Sequence, residues 1–460
     1  MTIRGNGFPP GPGTLGSARR LLTFFDDPIE LYGELRERWG DVVGLSAAGV
    51  RMIAIFDLDI VERVLIRDAR NFLKGDGLRA ARYVLGAGLI TADGDTHRRH
   101  RKLAAPQFTP RTIGAFADAM AQTTAQELAT WPNEGEISAS RRAFDISLRI
   151  AGVGLFGSDF TDPDERDRMR VATSDLTDGY RTVVAPGGLT LVRSRLTPGA
   201  RRIARARTEV DRTIRLLVQQ RRSEQGVREI RDLLTLLLAA RDEDDGSSFS
   251  DEELRDEAVT MLLAGHDTTA ASLTWTLALL ALHPQEQAAA RAEVDMLLGG
   301  PGAAGRAPGA GDLRALRRVR AVVDESLRLH PAVYSTVRDP IEPIDIGGGT
   351  MLRPGTDVII PIGGIHRDPR HWTDPLEFRP ARFLDEAAAA ARHRLAYMPF
   401  GVGPRICIGS SFALQQLVIV LAEVLRAFEL HVAPGFELQP DVGFIRRPDG
   451  AVPIQVRRRS

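Results

Sequence analysis

The segment from residue 398 to 425, MPFGVGPRICIGSSFALQQLVIVLAEVL, contains the only cysteine of the chain, Cys407. The glycines and the proline before the cysteine favour a tight, irregular loop. From Ser410 onward, apolar residues recur at the spacing of an α-helix. The cysteine therefore lies at a helix N-terminus, where unpaired backbone N–H groups and the helix dipole favour an anion. We expect this sulfur to ionise readily to the thiolate, the form that binds metals.

The composition is that of a globular protein, with 43% hydrophobic and 26% charged residues. Sixty Lys and Arg residues balance sixty Asp and Glu residues, which argues against a nucleic-acid partner. One cysteine excludes an internal disulfide and gives no support for secretion. The first residues, MTIRGNGFPPGPGTLG, have neither the apolar core of a signal peptide nor the run of about 20 apolar residues that a membrane span needs. We expect a cytoplasmic protein without a membrane anchor.

Residues 250–282 begin with acidic residues and continue as an almost wholly apolar helical pattern. A helix that is apolar on all sides is buried. Residues 265–269, GHDTT, interrupt this pattern; glycine costs about 1 kcal/mol relative to alanine in a helix, and a buried carboxylate such as Asp267 costs more. Threonine hydroxyls can bond back to the preceding turn, but that role does not explain the adjacent acid. The interruption therefore indicates a function.

Helical periodicity predominates in the rest of the chain, and no long polar linker divides it. Helices are predicted near residues 28–40, 112–130, 141–156, 163–183, 200–223 and 228–241. Residues 42–56 alternate around Gly49 and predict a hairpin, and residues 345–362 read as a turn and a strand. The pattern predicts a mainly α fold, as a single domain over residues 1–460, with a small β-rich part at roughly 42–60 and 340–362.

Both unusual segments resemble motifs of the cytochrome P450 family. The family's haem-ligand signature FxxGxRxCxG is matched by Phe400, Gly403, Arg405, Cys407 and Gly409. Its oxygen-activation motif AGxDTT is matched by Ala264, Gly265, Asp267, Thr268 and Thr269. Further blocks resemble the family in the same order along the chain, namely GxxHxxxRxxxxxxF at 94–108, ExxR at 325–328 and FRPARF at 378–383. Together they cover the chain from about residue 9 to its end.

The resemblance implies a cytochrome P450 fold that holds haem b between the helix at 250–282 and the helix after Cys407. Cys407 would be the axial thiolate ligand of the iron. The other residues implied to bind the cofactor are His97, Arg101, Ala264, Gly265, Arg338, Phe400, Arg405 and Gly409. Asp267 and Thr268 would relay protons during oxygen activation. Glu325, Arg328 and Arg382 would form a structural ion network behind the cysteine loop.

The implied reaction inserts one oxygen atom from dioxygen into an apolar small molecule, by hydroxylation or epoxidation. The sequence up to Ser460 contains no flavin or iron–sulfur domain, so electrons are expected from a ferredoxin or flavodoxin with an NAD(P)H-dependent reductase. Arg98, Arg99 and Lys102 would form a basic helix face beside the cofactor, which should attract an acidic partner. The chain is expected to act as a monomer.

The substrate pocket is implied only by family position. Its candidate residues are Leu89, Ile90, Leu263, Ala264, Val333, Tyr334, Val337, Phe444 and Ile445. Most of them are apolar, which suggests a fatty acyl, terpenoid or polyketide-like substrate.

Three other functions are compatible with the cysteine motif. An isomerase, dehydratase or peroxygenase of the same fold would not need the proton relay of Asp267 and Thr268. A non-enzymatic haem sensor or carrier would bind haem without turnover. A cysteine enzyme without haem would require a histidine beside Cys407, and the basic residues implied to bind propionates would then have no role.

Replacing Cys407 by serine or histidine should abolish thiolate ligation, because neither side chain offers a soft sulfur anion to iron. The measurement is the absorption spectrum of the reduced protein under carbon monoxide. The strongly red-shifted band of thiolate haem should be lost in both variants, even where haem is retained. Its persistence in either variant would show that Cys407 is not the ligand.

Overall fold

A helix of 32 residues, Asp251–Leu282, runs through the core of the computed structural model, which describes residues 8–47, 49–185, 187–223, 232–300, 305–347 and 349–460. We call it the central helix. A capping box fixes its start, because the Ser250 hydroxyl accepts from the Glu253 N–H at 3.2 Å and the Glu253 carboxylate accepts from the Ser250 N–H at 2.8 Å. Its start and end agree with the pattern at 250–282 in the sequence.

The other helices include several that pack against the central helix. Their bounds are Gly13–Leu22, Pro28–Trp39, Leu58–Glu62, Asp76–Leu85, Gly94–Ala104, Pro110–Gly114, Ala117–Ala129, Ala139–Ala151, Pro163–Val184, Gly188–Ser194, Pro198–Ser223, Leu233–Ala239, Pro284–Leu298, Arg317–Leu329, Ile362–His366, Glu386–Ala391 and Ser410–Ala427. Short 3₁₀ turns lie at Ala69–Asn71, Ala105–Phe108, Ala310–Asp312, Pro380–Phe383, Arg394–Ala396 and Gly403–Arg405, and π-helical turns at Arg63–Arg67 and Gly152–Phe156.

Most of the predicted helices are confirmed, with altered ends. The run predicted at 112–130 is two helices, Pro110–Gly114 and Ala117–Ala129. The run predicted at 141–156 is Ala139–Ala151 followed by the π-helical turn Gly152–Phe156. Of the run predicted at 228–241, residues 228–231 lie outside the described residues, and the helix spans Leu233–Ala239.

A five-stranded sheet lies beside the helical part. Its strand order is Val42–Ala47, Val50–Ile55, Thr356–Ile360, Thr336–Pro340 and Phe72–Lys74, and only the pairing of Val50–Ile55 with Thr356–Ile360 is parallel. The predicted hairpin is confirmed, since Ala47 pairs with Val50 around Gly49, whose φ is +82°. At the opposite edge, Lys74 pairs with Arg338.

The β structure extends beyond the two predicted ranges. The other strands are Glu134–Ser138, Ile344–Asp345, Met351–Leu352, Phe428–His431, Pro440–Val442, Arg446–Pro448 and Pro453–Arg458. Glu134–Ser138, Pro453–Arg458 and Phe428–His431 form a second antiparallel sheet that the sequence pattern did not reveal. Residues 58–60, expected in the β-rich part, are instead helical, because the Asp57 carboxylate caps a helix start by accepting from the N–H groups of Asp59 and Ile60 at 3.0 Å each.

The helix Ser410–Ala427, which follows the cysteine, packs in the core. By length and apolarity it could cross a membrane, but 67% of its 18-residue window is buried inside the protein. Residues 417–425 are all buried. The helix is therefore a core element, and it positions the loop that precedes it. We call residues 398–409 the cysteine loop.

An ion network lies among the segments next to the cysteine loop. The Glu325 carboxylate accepts hydrogen bonds from Arg328 at 2.7 and 2.9 Å and from Arg382 at 2.9 Å. Arg328 also donates to the carbonyls of His366 and Pro375. Glu325 and Arg328 are both 0% exposed. One buried carboxylate thus joins the helix Arg317–Leu329 to the loop at 366–382.

Glu325→Ala should lower the free energy of unfolding by about 3–5 kcal/mol, because it leaves the buried Arg328 guanidinium without its counter-charge. Urea unfolding of the purified protein measures this change. Glu386→Ala, which removes the surface partner of Arg317, is the matched control and should have little effect. Equal losses in the two variants would contradict the central role of Glu325.

Candidate active site around Cys407

The cysteine loop turns tightly at Gly403. This residue has φ +75°, and a Cβ placed on it would lie 2.0 Å from the Leu65 carbonyl oxygen. Only glycine fits there. The loop then closes on itself, since the Cys407 N–H donates to the Phe400 carbonyl at 2.9 Å. Gly409 is the N-cap of the following helix.

The Cys407 thiol is exposed, yet burial raises its pKa. These two facts fit a sulfur that faces a deep recess in the protein. The Gly409 N–H and the Arg101 guanidinium lower the pKa of Cys407, but by less than burial raises it. The expectation of a readily formed thiolate is therefore wrong for the chain alone, because desolvation outweighs the helix N-terminus. A bound metal ion reverses this balance, since a coordinating thiol is deprotonated.

Four cationic side chains gather around His97, and two of them, Arg101 and Arg405, reach the cysteine loop. Arg101 donates to the Ile406 carbonyl at 2.6 Å. Arg405 pairs with Asp93 at 2.8 Å, and its buried Nη1 has no hydrogen-bond partner among the described residues. Arg338 and Lys74 are 6% and 5% exposed. The carboxylates that act on Lys74 and Arg338 are Asp93 and Glu257, so the four cations outnumber them.

Lys74 and Arg338 face each other across two antiparallel strands. Like charges directly opposite in a sheet are destabilising. Burial, with the nearby Arg405, lowers the pKa of Lys74 to about 7 and that of Arg338 to about 9. Arg338 donates to the Thr336 hydroxyl and the Val337 carbonyl, and it forms no ion pair with any described residue. The arrangement fits an anionic ligand.

His97 lies inside this cationic group and is buried. Burial and the charges of Lys74, Arg405, Arg101 and Arg338 lower the pKa of His97 to about 3. The ring is therefore neutral at physiological pH, and it can donate one hydrogen bond to an anion without adding charge.

One face of the central helix is open. From Asp256 to Ala281 all residues are buried except four at positions i, i+3, i+4 and i+7, which are Met261, Ala264, Gly265 and Thr268. This spacing places the four on one side of the helix. A Cβ on Gly265 would approach a Leu155 side-chain carbon at 3.0 Å, so glycine also lets the neighbouring turn pack closely. The face is apolar apart from the Thr268 hydroxyl.

Thr268 and Asp267 differ in their surroundings. The Thr268 hydroxyl donates to the Ala264 carbonyl at 2.8 Å. Asp267, about 100° around the helix from Thr268, is buried and its Oδ2 has no hydrogen-bond partner among the described residues. Burial raises the pKa of Asp267, and His266 and Arg447 partly oppose that rise. Arg447 in turn donates to the Asp178 carboxylate at 2.6 Å.

The implied pocket residues divide into two groups. Ile90, Val333, Val337 and Phe444 keep accessible surface, as does Ala264. Leu89, Leu263, Tyr334 and Ile445 are buried. Leu263 does not belong to the open face of the central helix, because two residues of helix place it about 200° from Met261. Met261 takes its place on that face.

The basic helix face is largely neutralised. Arg98 pairs with Asp95, Arg99 with Glu253 at 2.7 Å, and Lys102 with Asp242 and Asp244. The chain thus supplies counter-charges that reduce the positive charge this face offers to an acidic partner, and the partner role of the three cations stays a prediction. Arg111, exposed on the short helix Pro110–Gly114, has no ion pair among the described residues.

A family model described as cytochrome P450 matches residues 9–450. The chain belongs to the cytochrome P450 family. Cyclooctatin synthase of Streptomyces melanosporofaciens is 32% identical over 93% of this chain and 91% of its own length. Cyclooctat-9-en-7-ol 5-monooxygenase of the same organism is 30% identical over 93% of this chain and 90% of its own. The heme domain of cytochrome P450DA superposes with a TM-score of 0.86 at 26% identity, covering 98% of both chains.

This P450 is a monooxygenase with haem b as its cofactor, and the donor set fits that group. The lone exposed thiol suits iron ligation. The cationic excess around Arg338, Lys74 and Arg405 suits the two propionates of haem. The open face of the central helix lacks charged side chains and suits an apolar ring system.

Sequence reasoning missed three residues of this site. Lys74 is one of only two lysines in the chain, and that rarity was a signal that could have drawn attention to it. Asp93, directly before the helix of His97, reads in sequence as an ordinary N-cap. Met261 lies three residues before Ala264 and could have been found from helical spacing alone.

Arg338→Gln distinguishes the effect of the cationic group on the stability of the chain from its effect on haem binding. Removing a buried charge that has no counter-ion should leave the haem-free chain equally or more stable. Haem should be released at least about tenfold faster, since a hydrogen bond to a charged group contributes about 1.5–3 kcal/mol. Haem transfer to a haem-free acceptor protein and urea unfolding of the haem-free chain measure the two effects. Arg353→Gln, at an exposed turn, is the control, and an unchanged transfer rate in Arg338→Gln would contradict the assignment.

Proposed function

We propose that this P450 inserts one oxygen atom from dioxygen into a bulky, cyclic, apolar molecule of terpenoid type that carries few polar groups. The observation that carries the proposal is the open face of the central helix, where three of four accessible residues are apolar. Ile90, Val337 and Phe444 add accessible apolar side chains from the implied pocket set. The name of one relative, cyclooctat-9-en-7-ol 5-monooxygenase, describes oxygenation of a cyclic alcohol.

Haem bound through a cysteine thiolate supplies the redox chemistry that activates oxygen. In the proposed roles, Cys407 is the iron ligand, and His97, Arg101, Arg338 and Arg405 hold the propionates. Phe400 and Gly409 shape the cysteine side of the cofactor, and Ala264 and Gly265 shape the other side. Glu325, Arg328 and Arg382 fix the segments next to the cysteine loop.

Thr268 and Asp267 are proposed to move protons. The Thr268 hydroxyl, on the open face, donates to the Ala264 carbonyl and can at the same time accept a hydrogen bond from a second group. An alcohol is a poor acid, so it needs a neighbour that restores its proton. Asp267 suits that task because burial raises its pKa. The charge of Arg447, which pairs with the exposed Asp178, acts on Asp267 from the surface side.

Electrons are proposed to come from a ferredoxin or flavodoxin with an NAD(P)H-dependent reductase, and the protein is proposed to work as a monomer in the cytoplasm. The surface next to the cysteine supports an acidic partner. Pro404 and Ile406 are exposed there, Arg101 donates to the Ile406 carbonyl, and Arg111 carries a charge without a described counter-ion. Gln415 donates to the Ile113 carbonyl at 2.8 Å and holds the helix of Arg111 beside the helix that follows Cys407.

Thr268→Ala should damage coupling more than binding, because the hydroxyl handles protons and does not hold the substrate. Product formed per NAD(P)H consumed should fall while peroxide rises, and substrate affinity from the spectral shift should stay close to wild type. Asp267→Asn should slow turnover by about 10²-fold, the lower range for a lost proton-transfer group.

Thr274→Ala is the matched control. Thr274 is buried on the same helix and donates to the Ala270 carbonyl at 2.8 Å, so its loss removes a similar bond away from the open face. Its coupling should equal that of wild type. Wild-type coupling in Thr268→Ala as well would favour an isomerase or peroxygenase activity in place of the proposed one.

A further inference from the structure

The loop of residues 86–93, which we call the pocket loop, is held by one buried ammonium group. Lys74 Nζ donates to the carbonyls of Leu89 at 2.8 Å, Ile90 at 2.6 Å and Ala92 at 2.7 Å. An ammonium has three N–H donors, so all of them are used on the backbone of this loop. Two of the three carbonyls belong to residues implied to face the substrate.

The pocket loop has a second anchor on the central helix. The Ala87 N–H donates to the Asp256 carboxylate at 2.8 Å. A Cβ on Gly88 would lie 2.3 Å from the Thr260 hydroxyl oxygen, so the loop backbone rests directly on the turn before Met261. Between the anchors, residues 89–91 form a turn that leaves Ile90 partly accessible. Lys74 therefore fixes the side of the loop that faces away from the central helix.

Lys74 also connects the pocket loop to the cysteine loop. Its backbone N–H donates to the Asp93 carboxylate at 3.0 and 3.2 Å. The same carboxylate pairs with Arg405 at 2.8 Å, and Arg405 donates to the Phe72 carbonyl at 3.0 Å. Arg405 lies two residues before Cys407. A shift of Lys74 would thus displace the pocket loop and the cysteine loop together.

We propose that Lys74 is a positioning residue that sets the shape of the substrate pocket by fixing residues 89–92 relative to the cysteine loop. The proposal rests on the proposed function, because that function makes the pocket loop a substrate wall. Neutralising the charge of Lys74 does not explain its three bonds to the pocket loop, because a carboxylate would neutralise an ammonium better than three carbonyls do. The three carbonyls fix a backbone conformation, and the propionates of bound haem would offset the cost of burying the ammonium.

The test compares two ligands of haem iron in the haem-loaded protein. Imidazole is small enough to bind iron without touching the pocket walls, whereas 1-phenylimidazole must also fit against them. In Lys74→Met the dissociation constant for 1-phenylimidazole should rise about tenfold or more relative to that for imidazole, since bonds to a charged group are lost from the wall. Amide hydrogen exchange within residues 86–93 should become faster in the same variant.

Lys102→Met is the matched control, because Lys102 is the only other lysine and pairs with carboxylates at the surface. It should leave unchanged the amide exchange of residues 86–93 and the ratio of the two dissociation constants, 1-phenylimidazole to imidazole, which we call the ligand ratio. Should Lys74→Met fail to fold, Lys74→Gln, whose amide keeps two of the three donors, should shift both measurements in the same direction by less. An unchanged ligand ratio and unchanged exchange in a folded Lys74 variant would overturn the proposal.

The two proposals can fail separately. A shifted ligand ratio in Lys74→Met, together with a wild-type protein that oxygenates no cyclic apolar compound, would refute the proposed substrate class and leave the role of Lys74 intact. Oxygenation of such a compound by wild type, together with an unchanged ratio in Lys74→Met, would refute the role of Lys74 alone.

Discussion

The excess of positive charge beside Cys407 is the constraint on which the site depends. Lys74 and Arg338 are neighbours across two strands, and Arg405 and Arg101 approach from the cysteine loop and the helix Gly94–Ala104. The carboxylates of Asp93 and Glu257 neutralise only part of this charge. Buried cations without partners are costly, so the fold gains by binding a ligand with two carboxylates. The sheet, the pocket loop and the cysteine loop all contribute to that one electrostatic requirement.

The central helix buries polar side chains and at the same time leaves one of its faces open. Of its hydroxyl groups, those of Thr268, Thr269, Ser272, Thr274 and Thr276 each donate to the carbonyl four residues earlier. Thr260 is the exception, since its buried hydroxyl has no partner among the described residues and lies against Gly88. Back-bonded hydroxyls are satisfied inside the helix, so the open face needs no further polar neighbours.

Local patterns in the sequence were sufficient for the elements that depend on near neighbours. The hairpin around Gly49, the central helix and the turn at Gly403 follow from alternation, helical spacing and glycine, and the structure has them in those places. The pairing of Lys74 with Arg338 could not be read this way, because strand register joins residues far apart in the chain. The ionisation of Cys407 was misjudged for a related reason, since burial depends on the whole fold whereas the helix N-terminus is local.

The same distinction applies to the pocket and to the surface. Leu263 was placed in the pocket by family position, whereas helical spacing places Met261 on the open face of the central helix. The free basic face of Arg98, Arg99 and Lys102 could not be tested from sequence, because its counter-charges come partly from residues 242, 244 and 253. Short strands such as Glu134–Ser138 are held by partners near the C-terminus, and no local pattern marks them.

Because of Lys74 and Arg338, the stability of a newly made chain also depends on the haem supply of the cell. A ligand that binds only the folded state stabilises it in proportion to the logarithm of its free concentration. Without haem, the burial of Lys74 and Arg338 opposite each other destabilises the edge of the sheet that carries them, and a larger fraction of molecules is open to proteases. The amount of this P450 in a cell would then follow haem availability even at constant synthesis, so that enzyme without cofactor is removed and does not accumulate.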